Sequence, residues 1–285
     1  MKYVVVTGAS TGIGRSSVKV LSDKGFHVFG SVRKQADADG LSAEFGDKVT
    51  SLIFDTTDEA AVRAGAAKVK SIIGELSLSG LVNNAGIAVT GPLMHIPMDE
   101  LRHQMEVNTI APVIVTQAFL PLLGAVNPPV QNPGRIINIS SLAGVTAMPF
   151  VGPYAASKHA LEAISGSLRK ELMMYGIDVI IIGPGAVATP IWDKAEEVDL
   201  SQYDQTVFKQ ALGKMAKLMS ALGQEGIAVD KVGELVHHTL TTAKPKVRYA
   251  IVPNRLRDWI IPQNLPHRLI DKIIAAKLGL QRLGR

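Results

Sequence analysis

The stretch Tyr3–Gly14, YVVVTGASTGIG, sets the fold. Three valines run into a threonine, and glycines follow at positions 8, 12 and 14, opening a helical pattern from about Gly12 to Lys24. A continuous β-branched run suits a strand buried on both faces, as in a parallel sheet. Glycines at a strand-to-helix turn let the backbone approach a pyrophosphate, and the helix N-terminus behind them attracts the anion. The spacing here is G-x-x-x-G-x-G rather than G-x-G-x-x-G. Gly8, Ser10, Thr11, Gly12, Ile13 and Gly14 are the expected contacts to a dinucleotide on this side.

The same rhythm continues outward. Gly25 stops the first helix, and apolar runs at His27–Val32, Val49–Phe54, Gly80–Asn83, Arg135–Ser140, Asp178–Gly183 and Val247–Ile251 alternate with helical patterns. This alternation predicts a doubly wound parallel sheet, an α/β fold of Rossmann type. A length of 285 residues fits one domain, 1–285. Two stretches break the rhythm. Asn127–Gly134, NPPVQNPG, is a turn-rich loop. Residues 190–235 read as a helical insertion rich in Met, Leu and Lys, longer than ordinary connections, and are expected to form a substrate lid.

Composition narrows the function. The chain has no cysteine, which excludes a disulfide framework, thiol catalysis and cysteine-ligated metal. Its seven histidines follow no metal-ligand spacing, so no metal is expected. The net charge is +5, but from Lys244 onward ten Lys and Arg stand against two Asp. Nucleic-acid proteins spread basic residues along a groove with interleaved aromatics, so nucleic acid is not an expected partner. The basic extension 244–285 suits a solvated face or peripheral contact with an acidic or membrane surface. Within it, Leu269, Ile270, Ile273, Ile274 and Leu278 make one apolar helical stripe, with Arg268, Lys272 and Lys277 off it. That stripe could pack on the core, cover an apolar substrate or touch a membrane. The glycine motif leaves no room for a cleavable signal, and no apolar run reads as long enough to span a bilayer. A soluble cytoplasmic protein is expected, as a homo-oligomer, dimer or tetramer.

The end of the second strand reads the adenosine ribose. An acid there would bind both ribose hydroxyls and favour NAD. FGSVRK has none and offers Arg33 and Lys34, and a guanidinium suits a 2′-phosphate. NADP(H) is the expected cofactor, with NAD(H) the alternative. Asp55, with Thr56 beside it, could hold the adenine amino group, and Asp58 suits a helix cap.

Tyr154 and Lys158 stand one helical turn apart, thirteen and seventeen residues after Ser141. Of five tyrosines, only Tyr154 has a lysine four residues on. A phenol loses its proton at about pH 10, and an ammonium one turn away would bring that value towards neutrality. Such a group can give a proton to, or take one from, an alcohol oxygen while a hydride moves.

In order and spacing, TGASTGIG, NNAG (Asn83–Gly86), Asn108, Ser141, Tyr154, Lys158 and PGAVAT (Pro184–Thr189) resemble the classical short-chain dehydrogenases/reductases over residues 3–190. The resemblance implies a tetrad. Tyr154 would be the general acid/base, and Lys158 would lower its pKa and bind the nicotinamide ribose. Ser141 would hydrogen-bond the substrate oxygen, and Asn108 would hold a water that relays protons from Lys158. Ser140 is the less suitable serine, since the family's serine stands thirteen before the tyrosine. Further implied cofactor contacts are Asn84, Ala85, Gly86, Pro184, Gly185, Val187 and Thr189. The tail, PKVRYAIVP and then WIIPQNLPHRLIDKIIAAKLG, looks like that of the branch acting on retinoids and hydroxysteroids.

The implied activity is hydride transfer between a nicotinamide cofactor and a secondary alcohol or ketone, bulky and lipophilic (steroid-, retinoid- or hydroxyacyl-like). A non-catalytic redox sensor of the same fold is the alternative, but it would be expected to lose a tetrad member, and none is missing. A sugar-nucleotide epimerase would carry a G-x-x-G-x-x-G turn and a longer substrate domain. The loops expected over the site are Ile87–His95, Leu142–Phe150 and 190–235. They bring Met94, Met148, Phe150, Ile191, Trp192, Met215 and Met219, which suit a large apolar guest. The insertion is expected to be mobile until cofactor and substrate bind.

Overall fold

A computed structural model describes residues 1–188 and 200–282. Its strands are β1 (Lys2–Val6), β2 (Phe26–Val32), β3 (Val49–Ile53), β4 (Gly80–Asn83), β5 (Arg135–Ile139), β6 (Val179–Pro184) and β7 (Arg248–Ile251). They form one parallel sheet in the order β3-β2-β1-β4-β5-β6-β7. Every apolar run read from the sequence is a strand, with ends moved by about one residue. The longer helices are α1 (Gly12–Asp23), α2 (Gln35–Phe45), α3 (Glu59–Ile73), α4 (Met98–Met105), α5 (Ala111–Phe119), α6 (Gly152–Glu171), α7 (Lys209–Gln224), α8 (Val229–Thr241) and α9 (His267–Leu278).

The valine run shows why the sheet is covered on both faces. Successive side chains of a strand point to opposite sides. Val4 and Val6 join Val18 and Leu21 of α1, Leu41 of α2, and Val232 and Val236 of α8. Val5 faces the other way, with Val62 and Val69 of α3 and Val115 and Phe119 of α5. All three valines are fully buried, and each such side chain contributes about 1.5–3 kcal/mol. Asp58 caps α3, its Oδ1 accepting from the Ala61 N–H at 3.0 Å.

Strand order reverses between β1 and β4, so the loops behind them diverge and leave a crevice at the carboxyl edge. The glycine turn, NNAG, Ser141 and Pro184–Gly185 are carried on that edge, and Tyr154 and Lys158 on α6 beside it.

Two expectations need correction. Met98–Leu123 is one continuous helical stretch of 26 residues, with a mean hydropathy of 1.4 in its most apolar window, long and apolar enough by those measures to cross a bilayer. The charges of Asp99, Glu100, Arg102 and Glu106 hide it in the sequence. A π-helical turn, Glu106–Ile110, joins its halves. Ala111, Val115 and Phe119 are buried against the sheet, as in a core helix. The 190–235 stretch is also not of one kind. From Val229 on it is α8, the crossover from β6 to β7, packed into the core through Val232 and Val236. The part that stands over the substrate loops ends with α7.

Candidate active site

The nucleotide side is built by a turn too tight for side chains. Gly8 has φ +66° and Gly12 φ +55°, backbone that favours glycine. A Cβ on Gly8 would lie 2.9 Å from the Ala85 Cα, and one on Gly14 would strike the Gly8 carbonyl oxygen and lie 2.6 Å from Asn84 Nδ2. The Thr11 side chain does not cap α1, and its first turn holds no acid. Its free N–H groups and positive dipole end therefore face the crevice. A narrow glycine cradle at an uncapped helix start fits a pyrophosphate, with Ser10, Thr11 and Ile13 around it. The loop behind β4 closes the other side. The Thr7 hydroxyl accepts from the N–H groups of Asn84 (2.9 Å) and Ala85 (3.0 Å). Asn84 Nδ2 donates back to the carbonyls of Thr7 (2.9 Å) and Gly8 (3.2 Å).

At the adenosine end, Arg33 follows β2 directly and is largely exposed, with its guanidinium 4.0 Å from Asp55. Asp55 Oδ1 accepts from the Thr57 N–H (2.9 Å) and hydroxyl (2.8 Å). Burial works to raise the Asp55 carboxyl, but the Thr57 bonds and the Arg33 cation hold it below its ordinary value. Thr56 is buried and, with Thr7 and Ala85, lines a small cleft behind the crevice. Pro184 ends β6, and Gly185 donates its N–H to the Ile251 carbonyl at 2.9 Å. Val187 is buried and bridges to Ile227. Thr189, Ile191 and Trp192 lie outside the described residues.

The chemistry sits at the start of α6. Lys158 is buried, donates to the Ile139 carbonyl at 2.8 Å, and has its Nζ 5.8 Å from the centre of the Tyr154 ring. Burial lowers its ammonium to about 8, opposed by the carboxylate of Glu162 one turn on. The Tyr154 phenol is raised, not lowered: burial dominates, and a hydrogen bond with Ser141 only partly offsets it. With its ammonium on the Ile139 carbonyl, Lys158 does not bring the phenol below its ordinary value. Ser141 opens a short turn, its Oγ accepting from the Ala143 N–H at 3.1 Å. Ser140 Oγ is buried without a partner among the described residues. Of the two serines, it is Ser141 that meets the tyrosine.

Asn108 lies in the π-helical turn, fully buried. Its Oδ1 accepts from the Ile87 N–H (2.9 Å), and its Nδ2 donates to the Ile87 carbonyl (2.9 Å) and to Ser157 Oγ (3.1 Å). That side chain is occupied and cannot hold a relay water. Its main-chain carbonyl receives no N–H from four residues on, where Pro112 has none to give. Gly86 lies between Asn108 and Lys158: a Cβ there would be 3.1 Å from Asn108 Oδ1 and 3.7 Å from Lys158 Nζ.

Residues missed in the sequence support these. Gln104 is fully buried; it accepts from the Val89 N–H at 2.7 Å and donates to the Ile87 carbonyl at 3.0 Å. Ser157 ties Asn108 to α6. Glu162 could have been found from its place one turn after Lys158. Over the site, Phe150 has φ +67° and its carbonyl accepts from the Gly91 N–H at 2.7 Å. Phe150, Tyr203, Met215 and Leu278 form a buried apolar cluster, against which Met148, Phe208, Met219 and Ile274 pack. Met94 instead points to solvent.

A cradle for a pyrophosphate beside a serine–tyrosine–lysine cluster on a doubly wound sheet defines a nicotinamide-dependent oxidoreductase acting on a small molecule. The chain belongs to the short-chain dehydrogenase family, which matches residues 2–199. A relative from Ornithobacterium rhinotracheale, NADPH-dependent 3-dehydrocapnine reductase, is 41% identical over 273 residues, 96% of either chain. Retinol dehydrogenase 5 of Mus musculus is 30% identical over 286 residues, 95% of this chain and 87% of the other. A solved short-chain dehydrogenase from Streptomyces avermitilis aligns with a TM-score of 0.76 at 25% identity, over 99% of this chain and 98% of that one.

The buried ammonium has a stability signature. The folded pKa of Lys158, about 8, lies below its ordinary value of 10.5. The unfolded chain therefore binds more protons between those values, and this group makes stability rise with pH across that window. The rise amounts to about 3 kcal/mol. Denaturant titration of wild type and Lys158→Met at pH 7.5 and pH 10.5 tests it. The advantage of the variant at the lower pH should shrink at the higher, whereas a constant difference would count against a depressed ammonium.

Proposed function

We propose that the protein interconverts a bulky lipophilic secondary alcohol and its ketone with NADP(H), using Ser141, Tyr154, Lys158 and Asn108. The observation that carries this reading is Tyr154 one helical turn from a buried Lys158, whose Nζ lies 5.8 Å from the centre of the tyrosine ring, with Ser141 the serine that bears on the phenol. When bound, the nicotinamide dinucleotide supplies or accepts the hydride. Ser141 holds the substrate oxygen. Burial keeps the Tyr154 phenol protonated at neutral pH, ready to donate to a carbonyl oxygen as it is reduced. In the reverse direction the phenolate takes the alcohol proton. Lys158, charged at neutral pH, favours the phenolate when it forms and holds the ribose of the cofactor. The proton then leaves past Lys158 to a water on the Asn108 carbonyl.

For the substrate, the loop after β5 meets α7 and the segment before it in an apolar cluster of Met148, Phe150, Tyr203 and Met215. That lining suits a large apolar guest. The names of the relatives, a retinol dehydrogenase and a dehydrocapnine reductase, support the same reading. For the cofactor, Arg33 follows β2 directly, in a stretch FGSVRK that carries no acid, and one relative is named as NADPH-dependent. The tail gives a third element. Ile274 and Leu278 of α9 pack inward, while Leu269 and Ile273 are 44% and 53% exposed, flanked by Arg268 and Lys272. An apolar pair within a basic rim suits peripheral contact with an anionic membrane surface, from which a lipophilic substrate would come.

Three measurements decide these points. Tyr154→Phe keeps the ring and loses the proton, so turnover on long-chain or steroid-like ketones should drop ~10²–10⁴-fold with cofactor affinity kept. Activity within a few-fold of wild type would refute the role. Arg33→Ala should weaken NADP(H) about tenfold or more and leave NAD(H) nearly unchanged. A wild type that prefers NAD(H) would reverse the assignment. In sedimentation with vesicles, the protein should follow those containing phosphatidylglycerol at low salt, and Leu269→Glu/Ile273→Glu should stay in solution. Equal recovery of wild type and variant would remove the membrane contact.

A further inference from the structure

Arg248 opens β7, and its side chain reaches back across β6 towards the serine. Gly183 makes room for it: a Cβ there would lie 3.0 Å from the guanidinium carbon. The ring of Trp259 covers the group, its centre 4.5 Å from that carbon. Nε donates to both carboxylate oxygens of Glu162, at 3.1 and 3.0 Å, and Nη2 donates to the main-chain carbonyl of Ser141 at 3.3 Å. The side chains of Arg248 and Glu162 are only 17% and 14% exposed.

Glu162 completes a stripe on α6, in which Tyr154, Lys158 and Glu162 follow at intervals of one turn. It is also the charge that supports the Lys158 ammonium against burial. Arg248 thus touches the serine from one side and the acid behind the lysine from the other. Stability is a weak reason for such a pair, since apolar residues of similar volume serve a fold as well.

The Ser141 carbonyl receives two donors, Arg248 and the Gly144 N–H at 3.1 Å. The Ser141 hydroxyl receives the Ala143 N–H and meets Tyr154. With both ends of the residue pinned, the hydroxyl has one direction. Without Arg248, the carbonyl keeps only a local turn bond, and Glu162 is left as a buried, unpaired charge beside Lys158.

We propose that Arg248 is a positioning residue for the reaction: it fixes the Ser141 hydroxyl towards Tyr154 and neutralises Glu162, and Trp259 of the C-terminal extension holds the guanidinium in place. The proposal rests on the roles given to Ser141 and Tyr154 above.

The test uses the full chain, with turnover followed by nicotinamide absorbance, cofactor affinity by fluorescence titration and folding by thermal unfolding. Misplacing a reacting group by about 1 Å can cost ~10²-fold, so Arg248→Met should lose about tenfold or more in kcat. Cofactor affinity should stay within about twofold of wild type, because Arg248 acts on the serine and not on the nucleotide cradle. Arg248→Lys should recover part of the loss, and Trp259→Leu should fall in between. Because Arg248 acts in part through Ser141, adding Arg248→Met to Ser141→Ala should cost clearly less than it costs wild type.

A folded Arg248→Met with kcat near that of wild type would overturn the proposal. So would losses that multiply with those of Ser141→Ala, or a kcat that falls only as cofactor affinity falls. Should Arg248→Met fail to fold, unchanged kcat in both Arg248→Lys and Trp259→Leu overturns it equally. Near-normal turnover of Ser141→Ala would instead strike the role of the serine itself, and the proposal with it.

Discussion

The hydroxyl of Thr7 joins the two halves of the carboxyl edge. Strand order reverses beside it, and no helix ties the loop behind β1 to the loop behind β4. Thr7 receives two N–H groups from the β4 loop, and Asn84 answers with two bonds to the β1 loop. From there the connection runs on. The β4 loop continues to Ile87, whose N–H and carbonyl are both held by Asn108 and whose carbonyl also receives Gln104. Asn108 donates to Ser157, and Ser157 stands next to Lys158 on α6. Part-buried hydrogen bonds, joined through the backbone of the β4 loop and of α6, therefore link the glycine cradle to the acid/base pair. Such networks rigidify a site when every member is satisfied. Here they fix the distance between the place for a dinucleotide and the place where a proton moves.

Burial acts on the two titrating groups in opposite senses. It raises the phenol of Tyr154 and lowers the ammonium of Lys158, because each neutral form is the easier one to desolvate. At neutral pH the result is a protonated phenol beside a charged lysine. Ionising the phenol next to that ammonium would offset part of the cost of burying each. The site therefore rests in the proton-donating state, and the lysine is most useful once the proton has left. Glu162 and Arg248 lie behind the pair as a second, mutually neutralised couple, so the net charge the lysine presents to the phenol is its own.

Much of this was legible in the chain. Continuous Val and Ile runs can hardly be anything but buried parallel strands when helical patterns separate them, and the seven strands fell where those runs are. Tyr154 and Lys158 were legible because helical spacing is local. What was not legible depends on contacts distant in sequence. The Arg248–Glu162 pair spans 86 residues, and the saturation of Asn108 by Ile87 spans 21. Neither leaves a trace in spacing. The direction of the Tyr154 shift was missed because proximity along a helix says nothing of where an ammonium points. The charges at its start hid the length of Met98–Leu123, and α8 was read with the insertion because it, too, is rich in apolar residues.

The C-terminal third, the least specific part of the sequence, meets the site in two places. Through Arg248 and Trp259 it holds the carbonyl of Ser141. Through Ile274 and Leu278 it backs α7, whose Met215 and Leu212 pack with Phe150, on the loop between Ser141 and Tyr154. One contact is polar and reaches the reacting end of the site. The other is apolar and lines the space beyond it. Phe150 stands at the join, its backbone in a conformation that costs a non-glycine residue about 1 kcal/mol or more, retained where its ring meets Phe208, just before α7, at 5.8 Å. The lipophilic alcohol or ketone proposed above would meet the polar contact at its reacting end and the apolar cluster along its frame.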